Sequence, residues 1–503
     1  MPKWWRPGTA CSPAFALLVA VGLLLWLFIS RTPADPDLWG HLRFGLDMLA
    51  AGTARLADTY SFTSDRAWIN HEWLAEVLMA LSYRALGTWG LTLLRLSAVA
   101  VIAGIVFLVA RDEDASPAAR DILVGLAVLT TYTRTMMVRP QMFSIALVCV
   151  LLYTLRRAVP GQVRALWIVP LLFVAWVNLH GGWIVGIAVL GAWTAAALME
   201  SRPATEKLTL AAVAAASLTA TLVNPYGVRM WQFLAATVGP ERADIADWMP
   251  ITSLSAIVLT VEAILPALVL LALLRRGPRT GVRVPLRHWI VVAALVAATI
   301  KIGRVDAFLQ ASIAILLAPF VLQGVAAIGA TLKAPFWDSP RVPQIAVAAA
   351  VIAAGVLGAS RLGTIAVLGN WIPDRGAAQH LRMNAPGVRL LTWYNWGEYA
   401  IWQLAPAGIR VSMDGRRETV YSDQVVSDHY AFYDGKPGTL DYPDRIGADV
   451  IWIPVEFPVV PQLRAHGWRV AYESPRSVIL RRDPLSTRQV AAVQDEPRAF
   501  PWP

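Results

Sequence analysis

Asp35, Asp37, His41 and Arg43 crowd into one short stretch, "ADPDLWGHLRFG" (34–45), directly after an apolar run that begins at Ala14 and ends at Ser30. These are the residue types of acid–base and anion-binding chemistry, placed where an apolar segment ends. Local pattern explains part of the crowding. Asp35 can cap a helix, Pro36 suits its first position, and Asp37 meets the positive end of the helix dipole. Leu38, Leu42, Leu46 and Leu49 then share one face, Gly52 is a stop, and Asp37, His41 and Phe44 share another face. Asp35 is accounted for by the cap alone. Asp37 is a second acid that no cap requires, and it is the stronger candidate for chemistry.

Other unusual polar residues recur in short segments: "NHEW" (70–73), "TRTMMVRP" (133–140), "NLHGGW" (178–183), "VNPYG" (223–227) and "KIGRVD" (301–306). His71, Glu72 and Glu76 offer further metal ligands, but H-E-x-x-x-E is not the H-E-x-x-H of a metalloprotease. Asn178 and His180 precede two glycines, which suits a tight turn or a substrate approaching the backbone. Asn224-Pro225-Tyr226-Gly227 reads as a turn.

The elements that must position these residues are set by composition. The chain has 503 residues, 56% of them hydrophobic and only 16% charged, with mean hydropathy +0.52. Soluble globular chains carry about 25% charged residues. This chain reads as a polytopic membrane protein. The net charge of +10 is spread in short clusters between apolar runs, which excludes a nucleic-acid patch and fits membrane topology. Cys11 and Cys149 define neither a disulfide framework nor a metal cluster.

Spans are expected at 14–30, 89–110, 120–133, 140–155, 165–179, 183–200, 207–223, 254–274, 286–300, 306–325 and 342–360, about eleven in all, with 72–87 a conceivable twelfth. The first run is longer than a signal-peptide core, so it reads as an uncleaved span. Basic residues gather at alternate ends: Lys3 and Arg6, Arg111 and Arg120, Arg156 to Arg164, Arg202 and Lys207, Arg275 to Arg287, then Lys333 and Arg341. That side is cytoplasmic by the positive-inside rule. The N-terminus is then cytoplasmic, and the polar segments, with His41, His71 and His180, fall at the extracytoplasmic ends.

Past residue 365 the long apolar runs cease. Strand-like "RLLTW", "GIRVSMD", "ADVIWIPV", "WRVAYES" and "SVILRRD" alternate with helical stretches, which predicts an α/β domain. The expected organisation is an all-α polytopic membrane domain over 1–365, with its first extracytoplasmic loop at 31–88. An extracytoplasmic α/β domain follows over 366–485, and 486–503 is expected to be a loose tail. This α/β domain has no glycine-rich phosphate loop and no nucleophile elbow.

These segments resemble a known family. Asp37, Trp39 and Arg43 reproduce the acid, aromatic and arginine spacing that oligosaccharyltransferases of the GT-C glycosyltransferase type place after their first span. Asp37 with His41 is loosely similar to the protein mannosyltransferases. The segment 390–416 looks like the "WWDYG" region of oligosaccharyltransferase catalytic subunits, with Trp393 to Gly397 at the motif and Asp414 as a later acid. Asn395 stands where that family has Asp, so acceptor selection by a peptide sequon does not carry over. The series D-x-D-x-W-x-H-L, H-E-W, R-P-Q, N-x-H-G-G and N-P-Y-G also resembles a group of bacterial membrane proteins described as glycosyltransferase-like.

The resemblance implies an inverting glycosyltransferase using a polyprenyl-phosphate or diphosphate sugar. The acceptor is a glycan, lipid or protein outside the cytoplasm, and the setting a bacterial-type inner membrane. It makes Asp37, with Asp35 beside it, the catalytic acid. Asp37 would act as base or as ligand of a divalent cation such as Mg²⁺ or Mn²⁺. His41, Arg43, His71, Glu72, His180, Trp393 and Asn395 become substrate-binding candidates. Arg134, Arg139, Lys301 and Arg304 could grip a lipid phosphate, or snorkel to the interface. The rivals are a transporter or flippase, for which Arg95 inside a span is the best residue, and a non-catalytic assembly protein for an envelope glycan.

Overall fold

The computed structural model describes residues 10–11, 13–238, 249–253, 255–275, 283–336, 342–482 and 499–501. Lys3, Arg6, Arg276, Arg279 and Arg341 of the basic ends, and 486–498 of the expected tail, lie outside the described residues. The chain is mostly helical, with its main sheet in the C-terminal region, and folds as two compact units. One comprises Met1–Thr32, Thr92–Gly227 and Gly239–Thr364; the other comprises Pro33–Leu91, Val228–Val238 and Ile365–Pro503. The C-terminal part from Ile365 folds together with most of the first loop, Pro33–Leu91.

In the first unit every expected apolar stretch is helical. Pro13–Ile29, Gln141–Arg157, Trp183–Leu198, Ala204–Ala220, Leu286–Lys301 and Gln344–Arg361 run as single helices. Thr88–Asp112 alone is long and apolar enough to cross a membrane by itself, among the described residues. Two stretches each expected as one span are bent. Ala256–Glu262 meets Ile264–Leu274 at 43°, and the helix ending at Leu316 meets the one starting at Ala318 at 81°. Each bent pair qualifies as a span only when taken whole.

Both bends have the same cause. Proline lacks the N–H that would bond the carbonyl four residues back, and its ring crowds that carbonyl. Pro266 frees the Glu262 carbonyl, which accepts from Gln310 Nε2 at 2.8 Å. Pro319 frees the Ile315 carbonyl, which accepts from Arg156 Nη1 at 2.9 Å. Arg95 plays a related part. It is fully buried and donates to the Thr135 carbonyl at 3.3 Å and to the Ile29 carbonyl that ends the first helix. The residue that best suited a transporter is engaged as a helix cap.

In the second unit the five-stranded sheet runs in the order Arg410–Val411, Arg389–Thr392, Val450–Pro454, Ser477–Arg481, Arg469–Glu473. The first three are parallel and the last two join antiparallel. All five strands fall where the sequence placed them. The chain leaves 389–392 toward 410–411 on one side and 450–454 on the other. In open α/β sheets, such a reversal of strand order leaves a crevice at the C-terminal strand ends.

Helices Leu38–Ala51 and Trp73–Leu86 pack on each other in this unit. They come so close that a Cβ on Gly45 would lie 2.2 Å from the Glu76 carbonyl oxygen. The possible twelfth span at 72–87 is thus a 14-residue helix carrying Glu76 and Arg84, too short to cross a bilayer. The end of the chain also departs from expectation. Ala499–Phe500 pairs with Ile365–Ala366, and Phe500, 4% exposed, packs on Trp39 and Tyr83. That piece of the tail is not loose, because a buried aromatic ring and strand pairing hold it.

Candidate active site

The helix that carries the opening motif begins later than the sequence suggested. Its N-cap is Asp37, not Asp35, and its first residue is Leu38. Asp35 instead folds the turn before it, accepting the Asp37 amide at 2.8 Å through Oδ1, while its carbonyl accepts the Leu38 amide. A side-chain turn has displaced the expected cap by two residues. Gly52 ends the helix as expected, at φ 63° with its amide on the Met48 carbonyl. Trp39 is fully buried among Trp371, Tyr399 and Phe500, and Arg43 turns to Asp47 at 2.8 Å.

Asp37 points into the loop after strand Arg410–Val411. A Cβ on Gly415 would sit 2.2 Å from Asp37 Oδ1 and 2.9 Å from Glu398 Oε1. A Cβ on Gly40, one turn along the same helix, would meet Glu398 Oε2 at 2.1 Å. Two glycines therefore make the slot in which Glu398 lies beside Asp37. Glu398 belongs to helix Tyr394–Leu404, immediately after the "WYNWG" motif. That helix is set close by Gly397, whose Cβ would lie 2.2 Å from the Met413 carbonyl oxygen. Glu398 is 2% exposed, and its Oε2 finds no hydrogen-bond partner among the described residues. Burial, then the charges of Asp37 and Asp414, hold its carboxyl well above the usual carboxylate range. Burial and like charge thus both disfavour ionisation of Glu398 beside Asp37.

Two further groups border this pair. His41 Nδ1 is 3.0 Å from Glu76 Oε1, and Glu76 Oε2 accepts from Asn70 Nδ2 at 2.5 Å. Burial alone would lower the His41 pKa. The hydrogen bond to Glu76 and the charges of Glu72, Glu76 and Asp37 outweigh it and raise it to about 9, so His41 is an imidazolium at neutral pH. Asp414, meanwhile, is closed off. Arg416 grips it with Nε at 2.9 Å and Nη2 at 2.8 Å, and Tyr421 donates to it at 2.7 Å. Burial would raise the Asp414 carboxyl, yet Arg416 and Tyr421 hold it below its ordinary value. Arg416 also reaches Asp58 Oδ1 at 3.0 Å and lies over the rings of Trp68, Phe44 and Tyr60. It staples the two loops together.

A cation could be held nearby. Ligand atoms of His41, Glu72 and Glu76 lie within 4.8 Å of one another. Two carboxylates and an imidazole suit Mn²⁺ better than Mg²⁺, and the cation would have to displace the proton that His41 shares with Glu76. Asp37, the expected cation ligand, is not one of these three.

The remaining candidates are placed as follows. His71 packs on Phe233 and lies 3.5 Å from Glu72 Oε1. Trp393 caps helix Tyr394–Leu404 and packs against Trp396 and Phe457, with Asn395 in its first turn. In the helical unit, Arg134 is bound in a fork by Asp306, at 3.0 and 2.9 Å. Arg139 sits before helix Gln141–Arg157, Lys301 ends helix Leu286–Lys301, and Arg304 lies in the turn Gly303–Val305. His180 Nδ1 accepts from Ser144 Oγ at 2.7 Å and from the Gly182 amide at 3.0 Å. Trp176 Nε1 in turn donates to Ser144 Oγ at 2.7 Å.

Sequence reasoning missed Glu398. The signal for Glu398 was an acid directly after Trp396-Gly397, with Gly40 and Gly415 in the other two motifs. No single segment shows that the three meet.

No family model matches the sequence, and no curated protein matches it at a significant level. The fold does match solved structures. The archaeal oligosaccharyltransferase AglB from Archaeoglobus fulgidus superposes with TM-score 0.57 at 11% identity, over 88% of this chain and 69% of that one. The arabinofuranosyltransferase AftD from Mycobacteria gives 0.52 at 16% identity, over 96% of this chain but only 41% of that one. ArnT from Cupriavidus metallidurans gives 0.50 at 17% identity, over 93% and 98%. These neighbours are GT-C glycosyltransferases, and the chain carries their fold, as the spacing of Asp37, Trp39 and Arg43 led us to expect.

Proposed function

We propose that the protein is a multi-pass membrane glycosyltransferase. It moves a sugar from a polyprenyl-phosphate or diphosphate donor to an extracytoplasmic glycan, lipid or protein. One observation carries the reading: Asp37 and Glu398 converge on the Gly415 backbone, in a fold shared with glycosyltransferases. The AglB structure with that fold is in complex with an inhibitory peptide and a dolichol-phosphate.

In this reading Asp37 takes the proton from the acceptor hydroxyl as the oxygen attacks the anomeric carbon. The bond from that carbon to the phosphate oxygen breaks on the opposite face, with inversion. Glu398, neutral, keeps a second negative charge away from Asp37. A divalent cation held by His41, Glu72 and Glu76 would supply positive charge for the departing phosphate. Arg139, Lys301 and Arg304 are our candidates for gripping a lipid phosphate. About eleven spans, a cytoplasmic N-terminus and a bacterial-type inner membrane complete the proposal.

The test is mass spectrometry of lipids retained by purified wild-type protein and Asp37→Asn. A polyprenyl-phosphate sugar accumulating on the variant is the expected result. No such lipid on either protein would overturn the reading. Lipid retained equally by both, without product, would favour transport. That alternative draws on the buried pairs Arg134–Asp306 and Glu262–Gln310 in the helical unit.

A further inference from the structure

Where the basic loops gather, five helices of the first unit leave a cavity of about 320 Å³. It lies among the ends of Thr88–Asp112, Gln141–Arg157 and Asp306–Leu316 and the starts of Leu286–Lys301 and Ala318–Phe336. Its size is that of a small-ligand pocket. Four guanidinium groups line it, Arg156, Arg157, Arg283 and Arg287, against two carboxylates, Asp112 and Glu113. Arg156 is committed to Glu113 and to the Ile315 carbonyl freed by the proline bend, and Arg157 leans on Asp112 at 3.3 Å. The acids of the lining are thereby used up, while Arg283 remains as excess positive charge and Arg287 is paired only with Glu200, outside the lining.

Two buried donors on the wall are left over as well. His288 is 3% exposed; its ring lies within hydrogen-bonding reach of the Leu316 backbone, and its other ring nitrogen has no partner among the described residues. Arg287, 4% exposed, holds Glu200 with Nη1 at 2.6 Å and lies over the Trp193 ring, yet its Nε has no partner among the described residues. Buried polar groups are normally paired, and groups left over call for a ligand. A tetrahedral oxyanion matches this set: it accepts several N–H donors at once and takes arginine in bidentate fashion.

We propose that this cavity binds a phosphate-bearing group, taken from the side of the membrane that the basic loops mark as cytoplasmic. The phosphate sits between Arg283, Arg287 and His288, and Arg156 fixes the floor by holding the broken helix. The site does not depend on the transferase reading, since it uses none of the residues around Asp37. Lipid headgroups and soluble phosphoesters share the chemistry, and the experiment separates them.

The full chain is placed in phosphatidylcholine nanodiscs and its melting temperature followed as inorganic pyrophosphate is added. In a second arm part of the phosphatidylcholine is replaced by phosphatidylglycerol. A rise in the first arm assigns a soluble phosphoester; a rise in the second assigns a lipid headgroup. Arg283→Gln, at an exposed rim position, keeps the fold and should weaken the effective probe by about tenfold, the loss of one charge-assisted contact. His288→Asn should weaken it as well. A flat melting temperature in both arms, or an unchanged response in Arg283→Gln, overturns the proposal.

Discussion

His41 and His180 look alike in sequence: each sits in a polar motif at the end of an apolar stretch, and each is nearly buried. Their surroundings make them opposites. His180 Nδ1 accepts two hydrogen bonds, from the Ser144 hydroxyl and from the Gly182 amide, and no carboxylate is among these partners. His41 faces Glu76, Glu72 and Asp37, and burial does not prevent it from carrying charge. A histidine bonded to a serine and a turn amide is tied into that turn, whereas one among carboxylates, beside an acid pressed against a backbone, is our candidate for a site.

The largest expected effect tests the site directly. Asp37→Asn should lower sugar transfer by about 10²–10⁴-fold, the usual reach of a general base, whereas Ser144→Ala in the His180 network should leave the rate within a few fold. Equal losses in a turnover assay would erase the distinction. Next, Arg416→Met leaves Asp414 buried without its cation and should cost about 3–5 kcal/mol of stability in denaturant melts. A small loss would mean that the staple is not structural.

His41 then gives a pH signature. Its folded-state value of about 9 lies above the ordinary 6.5. The stability it contributes is present in full below 6.5 and lost as pH rises through 9. Comparing wild type with His41→Gln, the stability gap should be at most about 3 kcal/mol at low pH and close as pH passes 9. A gap that widens with pH would refute the charged assignment. The smallest effect belongs to His180→Gln, about 1–2 kcal/mol from the loss of its hydrogen bonds to Ser144 and the Gly182 amide, read in denaturant melts.

Much of the fold was legible because it rests on local pattern. Apolar runs became helices at the expected places, and all five expected strands formed one sheet. What failed was set by a single residue or by distant contact. Pro266 and Pro319 were visible, yet their bends depend on Gln310 and Arg156 arriving to take the freed carbonyls. In the site, Asp37 and His41 were read from helical spacing. Glu398 was not, because its place beside Asp37 is a matter of tertiary packing across hundreds of residues of chain. Likewise Glu76 was paired in sequence with His71, its near neighbour, while the fold gives it His41.

The glycine slot around Glu398 has a consequence for inheritance. Gly40 and Gly415 each come so near this carboxyl that a methyl group would collide with it or with Asp37. In a diverged copy, alanine at 40 would displace the Glu398 carboxyl, and alanine at 415 would displace Asp37 first and Glu398 second, so changes at these positions are coupled.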